Sequence, residues 1–286
     1  MRDRAAQLAY GGSTWVPPRA RDASTVCLLR DTDAGPEVFL MRRTTSMAFA
    51  AGMHVYPGGA LEESDATVPL AGRTDLEALG RRIASDDPGA LLAAAARETF
   101  EECGVLLALD RDGRPPAADL VPESVRDDVA EGRRDFAEVL HERGLVVDDA
   151  ALVAFAHWVT PEVEDRRFDT RFFAAALPEG QSTAHLGGEA DRVAWWRPAD
   201  ALAEAAAGRM AMLPPTTATL AVLAGRASAA DALAAVAGLA VAPLMPHPFP
   251  GGDGEVVWHL VDERTRAVLD GAGQPSASET DGVGAS

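Results

Sequence analysis

Apolar residues fall in short runs over the first fifth of the chain and in helically spaced stretches further on. Thr25 to Leu29 and Glu37 to Met41 are apolar runs separated by Asp31-Thr-Asp-Ala-Gly-Pro36, whose residues favour turns; together they predict a β-hairpin or two neighbouring strands. A third short extended piece, Met53 to Tyr56, runs into Pro57-Gly58-Gly59, where proline fixes one backbone angle and the glycines open conformations closed to other residues. A sharp bend is expected there. Leu61 to Ser85 is polar with scattered apolar positions. Asp87-Pro88 then reads as an N-cap followed by proline at the first helical position, leading into a helix that runs through Leu91 to Cys103 and stops at Gly104. Asp119 to Arg143 predicts further, strongly charged helix. Leu152 to Val159, Arg171 to Ala176, Arg192 to Trp196 and Val256 to Val261 read as strands, Ala199 to Gly208 and Thr216 to Leu223 as helices. The Ala-rich run Ala232 to Ala242 is too short to cross a bilayer and predicts a buried helix. Gly271 to Ser286 holds almost nothing to bury and is expected to be disordered. Strands interleaved with helices, one of them preceded by a glycine-rich bend, indicate an α/β or α+β sandwich.

With 286 residues, 47% hydrophobic and 24% charged, the chain has material for one large globular domain or two small ones. Its 26 basic and 44 acidic side chains give a formal charge of -18, a long-range field that repels polyanions, so no nucleic-acid partner is expected. All basic residues are arginine. The absence of lysine removes Schiff-base chemistry, pyridoxal-phosphate anchoring and a P-loop, and the absence of asparagine removes N-glycosylation. Cys27 and Cys103 are isolated thiols, and Met1 to Thr14 lacks the apolar stretch of a secretory signal, so a cytoplasmic location and no membrane partner are expected. No G-x-S-x-G, H-E-x-x-H or post-strand G-x-G-x-x-G motif occurs, which argues against serine hydrolases, zinc peptidases and Rossmann oxidoreductases.

On the helix, Glu98, Glu101 and Glu102 stand at i, i+3 and i+4, so their carboxylates crowd within roughly a third of the circumference. Two readings are open: hard oxygen ligands for Mg2+ or Mn2+, or a solvated acidic face. The preceding Tyr56-Pro57-Gly58-Gly59 can offer carbonyls to a cation and N–H groups to a phosphate, which favours the first.

This combination resembles the Nudix hydrolases, whose signature is G-x5-E-x7-R-E-U-x-E-E-x-G-U with U apolar. Its second half stands here as Arg97-Glu-Thr-Phe-Glu-Glu-Cys-Gly-Val105, with Thr99 in the first apolar slot. Counting from Gly59, the first-glutamate position holds Asp65, and 31 residues separate it from Arg97 where the family usually has seven. A similar split marks the subgroup like the peroxisomal coenzyme A diphosphatases, in which the second half commonly reads R-E-T-F-E-E-x-G-V-L-L. The likeness extends to Trp158-Val-Thr-Pro-Glu162, Arg167 to Phe173 and Trp195 to Ala201. It implies a Nudix fold with a mixed sheet between helices over residues 24–270, preceded by an N-terminal extension, 1–23. Helical insertions are expected at about 66–88 and 110–150, with a disordered tail from 271.

Carried onto matching positions, the resemblance implies that Glu98, Glu101 and Glu102, with the Gly58 carbonyl, surround the metal. Glu98 would also orient or deprotonate water, and Arg97 would hold it in its working rotamer; an ordinary i,i+4 ion pair of Arg97 with Glu101 is the alternative. Glu189, six residues ahead of Trp195, stands where many family members carry a further acid, with Glu162 in reserve; solvation at the surface is the alternative for each. Arg42, Arg43, Tyr56, Gly59 and Arg171 are candidates for holding a small-molecule diphosphate. Bacterial coenzyme A diphosphatases often carry L-L-T-x-R-[SA]-x3-R-x3-G-x3-F-P-G-G. This chain keeps Gly52-x3-Tyr56-Pro-Gly-Gly59 and puts Arg43-Thr44 at the first arginine, but has Ala48 at the second. The expected function is metal-dependent hydrolysis of coenzyme A or an acyl derivative. Another diphosphate, such as a nucleotide sugar or dinucleotide, or a Nudix-fold binding module whose chemistry has lapsed, stays open, as does a homodimer.

Overall fold

The computed structural model describes residues 2–11, 13–44, 50–183, 190–262, 268–270 and 274–275. A helix, α1 (Arg2–Tyr10), precedes the expected hairpin of β1 (Arg21–Thr32) and β2 (Gly35–Arg43), whose two-residue turn leaves Thr32 facing Gly35 and Leu29 facing Val38. β3 (His54–Val55) and β4 (Gly58–Ala60) flank the bend. A 3-10 turn, Glu63–Thr67, and α2 (Leu76–Ile83) lead to α3 (Pro88–Cys103). Further on come β5 (Ala108–Leu109), α4 (Glu123–Ala130), α5 (Phe136–Arg143), β6 (Val146–Val147), β7 (Val153–Val159), β8 (Phe168–Ala176) and β9 (Ala190–Trp196). The chain continues through α6 (Pro198–Ala206), α7 (Pro214–Leu223), α8 (Ala229–Ala237), β10 (Pro243–Pro250), β11 (Val256–Asp262), β12 (Val268–Asp270) and β13 (Gln274–Pro275). The expected tail lies outside the described residues apart from Gln274–Pro275, which pairs with β12.

Several elements depart from the sequence expectations for identifiable reasons. The charged stretch up to Arg143 forms two helices, separated where the chain turns at Gly132 with φ +66°. α2 lies in the stretch whose pattern is polar with scattered apolar positions, within the helical insertion that the resemblance implied at about 66–88: Asp75 caps it by accepting from Ala78 N at 3.0 Å, and Gly80 and Ile83 are buried. α8 is shorter than the run that predicted it and buries only one face, through Ala232 and Val236. β10 was hidden by its prolines. Pro246, Pro248 and Pro250 alternate, so the donors they lack fall on one edge, and Met245, His247 and Phe249 remain to bond β11.

Contacts divide the chain into two compact units. The larger comprises Asp22–Ala156 and Thr170–Val241. In it β1 pairs with β2 and β4, and β2 with β3 and β9. Its core joins Val26, Leu28, Phe39 and Met41 of the sheet to Leu91, Leu92 and Phe100 of α3, with Leu140, Leu145 and Val147 beyond. α3 is apolar on all sides for its first turns, Leu91 to Ala96 being fully buried, which suits a central helix. Only its last turns carry charge. Asp87 Oδ1 accepts from Ala90 N at 3.0 Å, Pro88 stands in the first turn, and Gly104 ends the helix at φ +74° with its N–H on Phe100 O.

The smaller unit comprises Met1–Arg21, His157–Asp169 and Ala242–Ser286. There α1 lies against the β10–β11 hairpin, Tyr10 donating to Glu255 O at 2.6 Å. Arg4 donates to Val163 O and stacks 3.6 Å above the Trp15 ring. Pro243 and Leu244 pair in parallel with His157 and Trp158, so the sheet is mixed. Among the described residues no helix is long and apolar enough to cross a membrane.

Replacing Asp87 with alanine removes the cap of α3. Urea unfolding should show a loss of about 1 kcal/mol, and an unchanged midpoint would mean that the cap contributes nothing.

Candidate active site

Arg97 leaves α3 toward the interior, where it is 3% exposed. Its Nε donates to Asp65 Oδ1 at 2.8 Å and its Nη2 to Asp65 Oδ2 at 3.1 Å, a two-pronged ion pair of the kind that fixes both partners. Nη2 also donates to Ala60 O at 3.1 Å. Nη1 donates to Glu98 Oε1 at 2.9 Å and to both Glu101 oxygens at 3.3 Å, and lies 4.0 Å from Glu62 Oε1. Asp65 is held in turn by Glu62 N, which donates to its Oδ2 at 2.9 Å across the 3-10 turn. The guanidinium therefore gathers residues from both sides of the 31-residue interruption.

The bend meets the helix directly. Gly58 N donates to Glu102 Oε2 at 2.7 Å, and Val26 N bonds Pro57 O at 2.9 Å, so the bend is tied to α3 and β1 together. A Cβ at Gly58 would lie 2.4 Å from Ser24 O, and one at Gly59 would lie 2.3 Å from Glu98 Oε1. Both positions need glycine for closeness of approach.

The electrostatics follow from this crowding. Burial pushes Glu98 up to about 7, against the lowering effect of Arg97 and with the charges of Asp65 and Glu62 adding to the rise. Glu101 is likewise pushed up to about 7 by burial, opposed by Arg97 and reinforced by Glu98. Burial alone would lower the Arg97 pKa, but its bonds to Asp65 and the charges of Glu98 and Glu101 more than offset that and hold it firmly cationic. One guanidinium thus leaves its neighbouring carboxylates short of positive charge. Hard, charged oxygens in that condition fit a divalent cation of the Mg2+ type. Among the described residues no three His, Cys, Asp or Glu side chains stand converged as a ready ligand set. The carboxylates are turned to Arg97 and to the Gly58 amide.

The other expected site residues divide. Gly58 and Gly59 stand with Arg97, Glu98, Glu101 and Glu102 in one cluster. Arg42 and Arg43 lie half-buried at the end of β2. Tyr56 is buried, not lining an opening. Its hydroxyl lies 3.1 Å from Thr219 Oγ1 and donates to Thr216 O at 3.4 Å, and its ring meets Phe172 edge-on, so it pins the bend to α7. Arg171, 3% exposed, donates to Asp22 Oδ1 at 2.6 Å, Ala84 O at 2.8 Å and Ile83 O at 3.3 Å. It caps the carbonyl end of α2, where Ala84 turns left-handed at φ +51°, a use of arginine that needs no substrate. Glu189 lies outside the described residues. Glu162 belongs to the smaller unit, its carbonyl accepting from Trp15 Nε1 at 2.7 Å. Thr99 fills an apolar slot because its hydroxyl is satisfied by Ala95 O at 2.7 Å. Asp65 and Glu62 were missed as site residues; the only sequence signal for Asp65 was its spacing of six from Gly59.

Deleting the Asp65 carboxylate (Asp65→Ala) strips a buried arginine of its principal partner and should cost roughly 3–5 kcal/mol in chemical unfolding. A loss below about 1 kcal/mol would show that the ion pair behaves like a surface one.

A family model described as the NUDT19 Nudix domain matches residues 69–223, which include the half-box and exclude the bend and Asp65. The chain is 25% identical over 249 residues to the acyl-coenzyme A diphosphatase NUDT19 of Xenopus laevis, covering 74% of this chain and 64% of that protein. It is 30% identical over 183 residues to the protein of the same name from Homo sapiens, covering 51% of this chain and 49% of that one. The chain thus spans between about half and just under two thirds of these relatives' length. The crystal structure of a NUDIX hydrolase from Alicyclobacillus acidocaldarius superposes with a TM-score of 0.64 at 30% identity, covering 76% of this chain and 96% of that one. A box split in sequence but closed in space, a matching family model and a shared fold lead to one conclusion: the chain belongs to the Nudix hydrolases, in the family of the NUDT19 Nudix domain.

Proposed function

We propose that this protein hydrolyses a diphosphate linkage in coenzyme A or an acyl-coenzyme A, using Mg2+ or Mn2+ held by Glu98, Glu101, Glu102 and the Gly58 carbonyl. The observation that carries the reading is the cluster in which Arg97 joins Asp65 to Glu98 and Glu101 while Glu102 bonds the Gly58 amide. The substrate class is supported by the relatives named acyl-coenzyme A diphosphatase. A divalent cation in such a site lowers the pKa of a bound water and screens the phosphate oxygens. The chain's own residues supply the rest. Glu98, pushed up to about 7, is poised to take a proton from water near neutral pH. Arg97 holds the Glu98 and Glu101 carboxylates, and the two glycines keep the backbone close to Glu102 and Glu98. Glu189 is the candidate for a further acid. Because the net charge of -18 repels an anionic substrate, attraction must be local, and Arg42 and Arg43 are the candidates next to the bend. Ala48, in place of the second arginine of the bacterial coenzyme A motif, favours a second reading in which another diphosphate, such as a nucleotide sugar or dinucleotide, is the substrate.

Purified protein incubated with coenzyme A and Mg2+ or Mn2+ should release two phosphorylated products identifiable by mass. The Glu101→Gln, Glu102→Gln double variant should lose at least about a hundredfold in turnover. Full activity of that variant would defeat the metal assignment, and no turnover over a panel of diphosphates would defeat the enzymatic one.

The raised carboxyls give a second check. Glu98 and Glu101 near 7 bind protons in the folded protein that the unfolded chain, near 4.5, has released. Their contribution to stability is therefore present below the unfolded value and lost as pH rises through about 7. A cation competing with those protons should raise the melting temperature more at about pH 8 than at about pH 5.5. Equal shifts at both would count against cation binding at these glutamates.

A further inference from the structure

Glu62 stands at the open side of the cluster around Arg97. Its Oε1 lies 4.0 Å from Arg97 Nη1, the nitrogen that Glu98 Oε1 approaches to 2.9 Å and both Glu101 oxygens to 3.3 Å, so three glutamates surround one donor. The Glu62 side chain is 61% exposed, against 12% for Glu98 and 13% for Glu101, which makes it the most accessible carboxylate of the three.

Arg97 does not account for this placement. At 4.0 Å the contact exceeds hydrogen-bond length, and the guanidinium is already met by Asp65, Ala60 O, Glu98 and Glu101. The charge of Glu62 works against its neighbours, adding to the rise of both Glu98 and Glu101. The main chain nonetheless holds the residue in position. Ala60 pairs with Ala23 of β1 and its carbonyl accepts from Arg97 Nη2, Leu61 N donates to Asp22 O at 2.9 Å, and Glu62 N donates to Asp65 Oδ2. A structural use is available, since Glu62 precedes the 3-10 turn and shares a capping box with Asp65. A cap, however, calls only for a side-chain oxygen. A full negative charge beside two other glutamates is a liability unless positive charge arrives.

We infer that Glu62 is a further ligand of the divalent cation, on the solvent side of Glu98 and Glu101. The inference rests on the proposed function for the ion and on the contacts around Arg97 for the residue. Ions of the Mg2+ type take oxygens from all sides of an octahedron, and carboxylates from both α3 and the turn after β4 enclose more of it than one helix can. An ion there converts the repulsion among the three glutamates into attraction toward one centre.

Calorimetric titration of Mn2+ into protein free of metal and substrate tests this without turnover. Glu62→Gln keeps the oxygen that a cap needs and removes the charge. It should weaken Mn2+ binding about tenfold, and Glu62→Asp should recover part of the loss. In thermal melts without metal, at about pH 8, Glu62→Gln should unfold no lower than the wild type, because a repelled charge has gone, and Mn2+ should raise its melting temperature less. An unchanged Mn2+ affinity overturns the inference and leaves Glu62 a cap. A lower metal-free melting temperature overturns it as well, since Arg97 would then already use the charge. If the Glu101→Gln, Glu102→Gln double variant abolishes Mn2+ binding while Glu62→Gln leaves it intact, the inference falls and the proposed site stands. Weakened Mn2+ binding in a protein that hydrolyses no diphosphate sustains the ligand while the enzymatic reading fails.

Discussion

A buried guanidinium must be given counter-charges, and Arg97 receives them from two places far apart in the chain. Taking such an ion out of water costs several kcal/mol unless its donors are met, and all of them are: Nε and Nη2 by Asp65, Nη2 again by Ala60 O, Nη1 by Glu98 and Glu101. Asp65 and α3 are therefore fixed together, and the intervening residues must close a loop between them. Loop-closure entropy grows only logarithmically, about 0.6 kcal/mol for each doubling of length, so a long interruption of the motif is tolerated once the ion pair forms.

The interruption is not slack chain. Val68 and Ile83 belong to the core, with Leu70 and Leu79 packed against it. Leu70 bridges to Val147, Val147 N bonds Pro69 O at 2.8 Å, and Asp149 accepts from Arg73 N and Thr74 N. Arg171 caps the far end of α2. The two segments read as insertions thus brace each other and pack against α3, which the bend's hydrogen bonds also hold. A helix fixed on both flanks places its last-turn carboxylates reproducibly, which a site needing sub-ångström geometry requires.

What the sequence made legible was local. α3 declared its start by Asp87-Pro88 and its end by Gly104, and the positions of Glu98, Glu101 and Glu102 followed from helical spacing. The bend was legible because no other residue types permit it. Asp65 was not, since its role depends on a contact across 31 residues that no periodicity reports. Tyr56 and Arg171 have structural partners that the sequence did not announce: buried backbone carbonyls and helix ends require donors, and these two supply them. The bounds of α2 were not legible because it is short, and β10 was masked by prolines that, beyond its pairing with β7 at Pro243 and Leu244, leave donors only toward β11.

The same accounting explains why the cluster looks outward for charge. Arg97 has no donor left for Glu102, and it shares Nη1 between Glu98 and Glu101, which burial pushes up to about 7 against its lowering charge. No lysine exists in the chain to add a second cation, and a further arginine in so crowded a space would need its own counter-charges. A small divalent ion needs none beyond those already present, because it concentrates two charges in a volume that carboxylate oxygens can enclose. The crowding of carboxylates around a single guanidinium at the end of α3 is thus the condition that the proposed cation site would require.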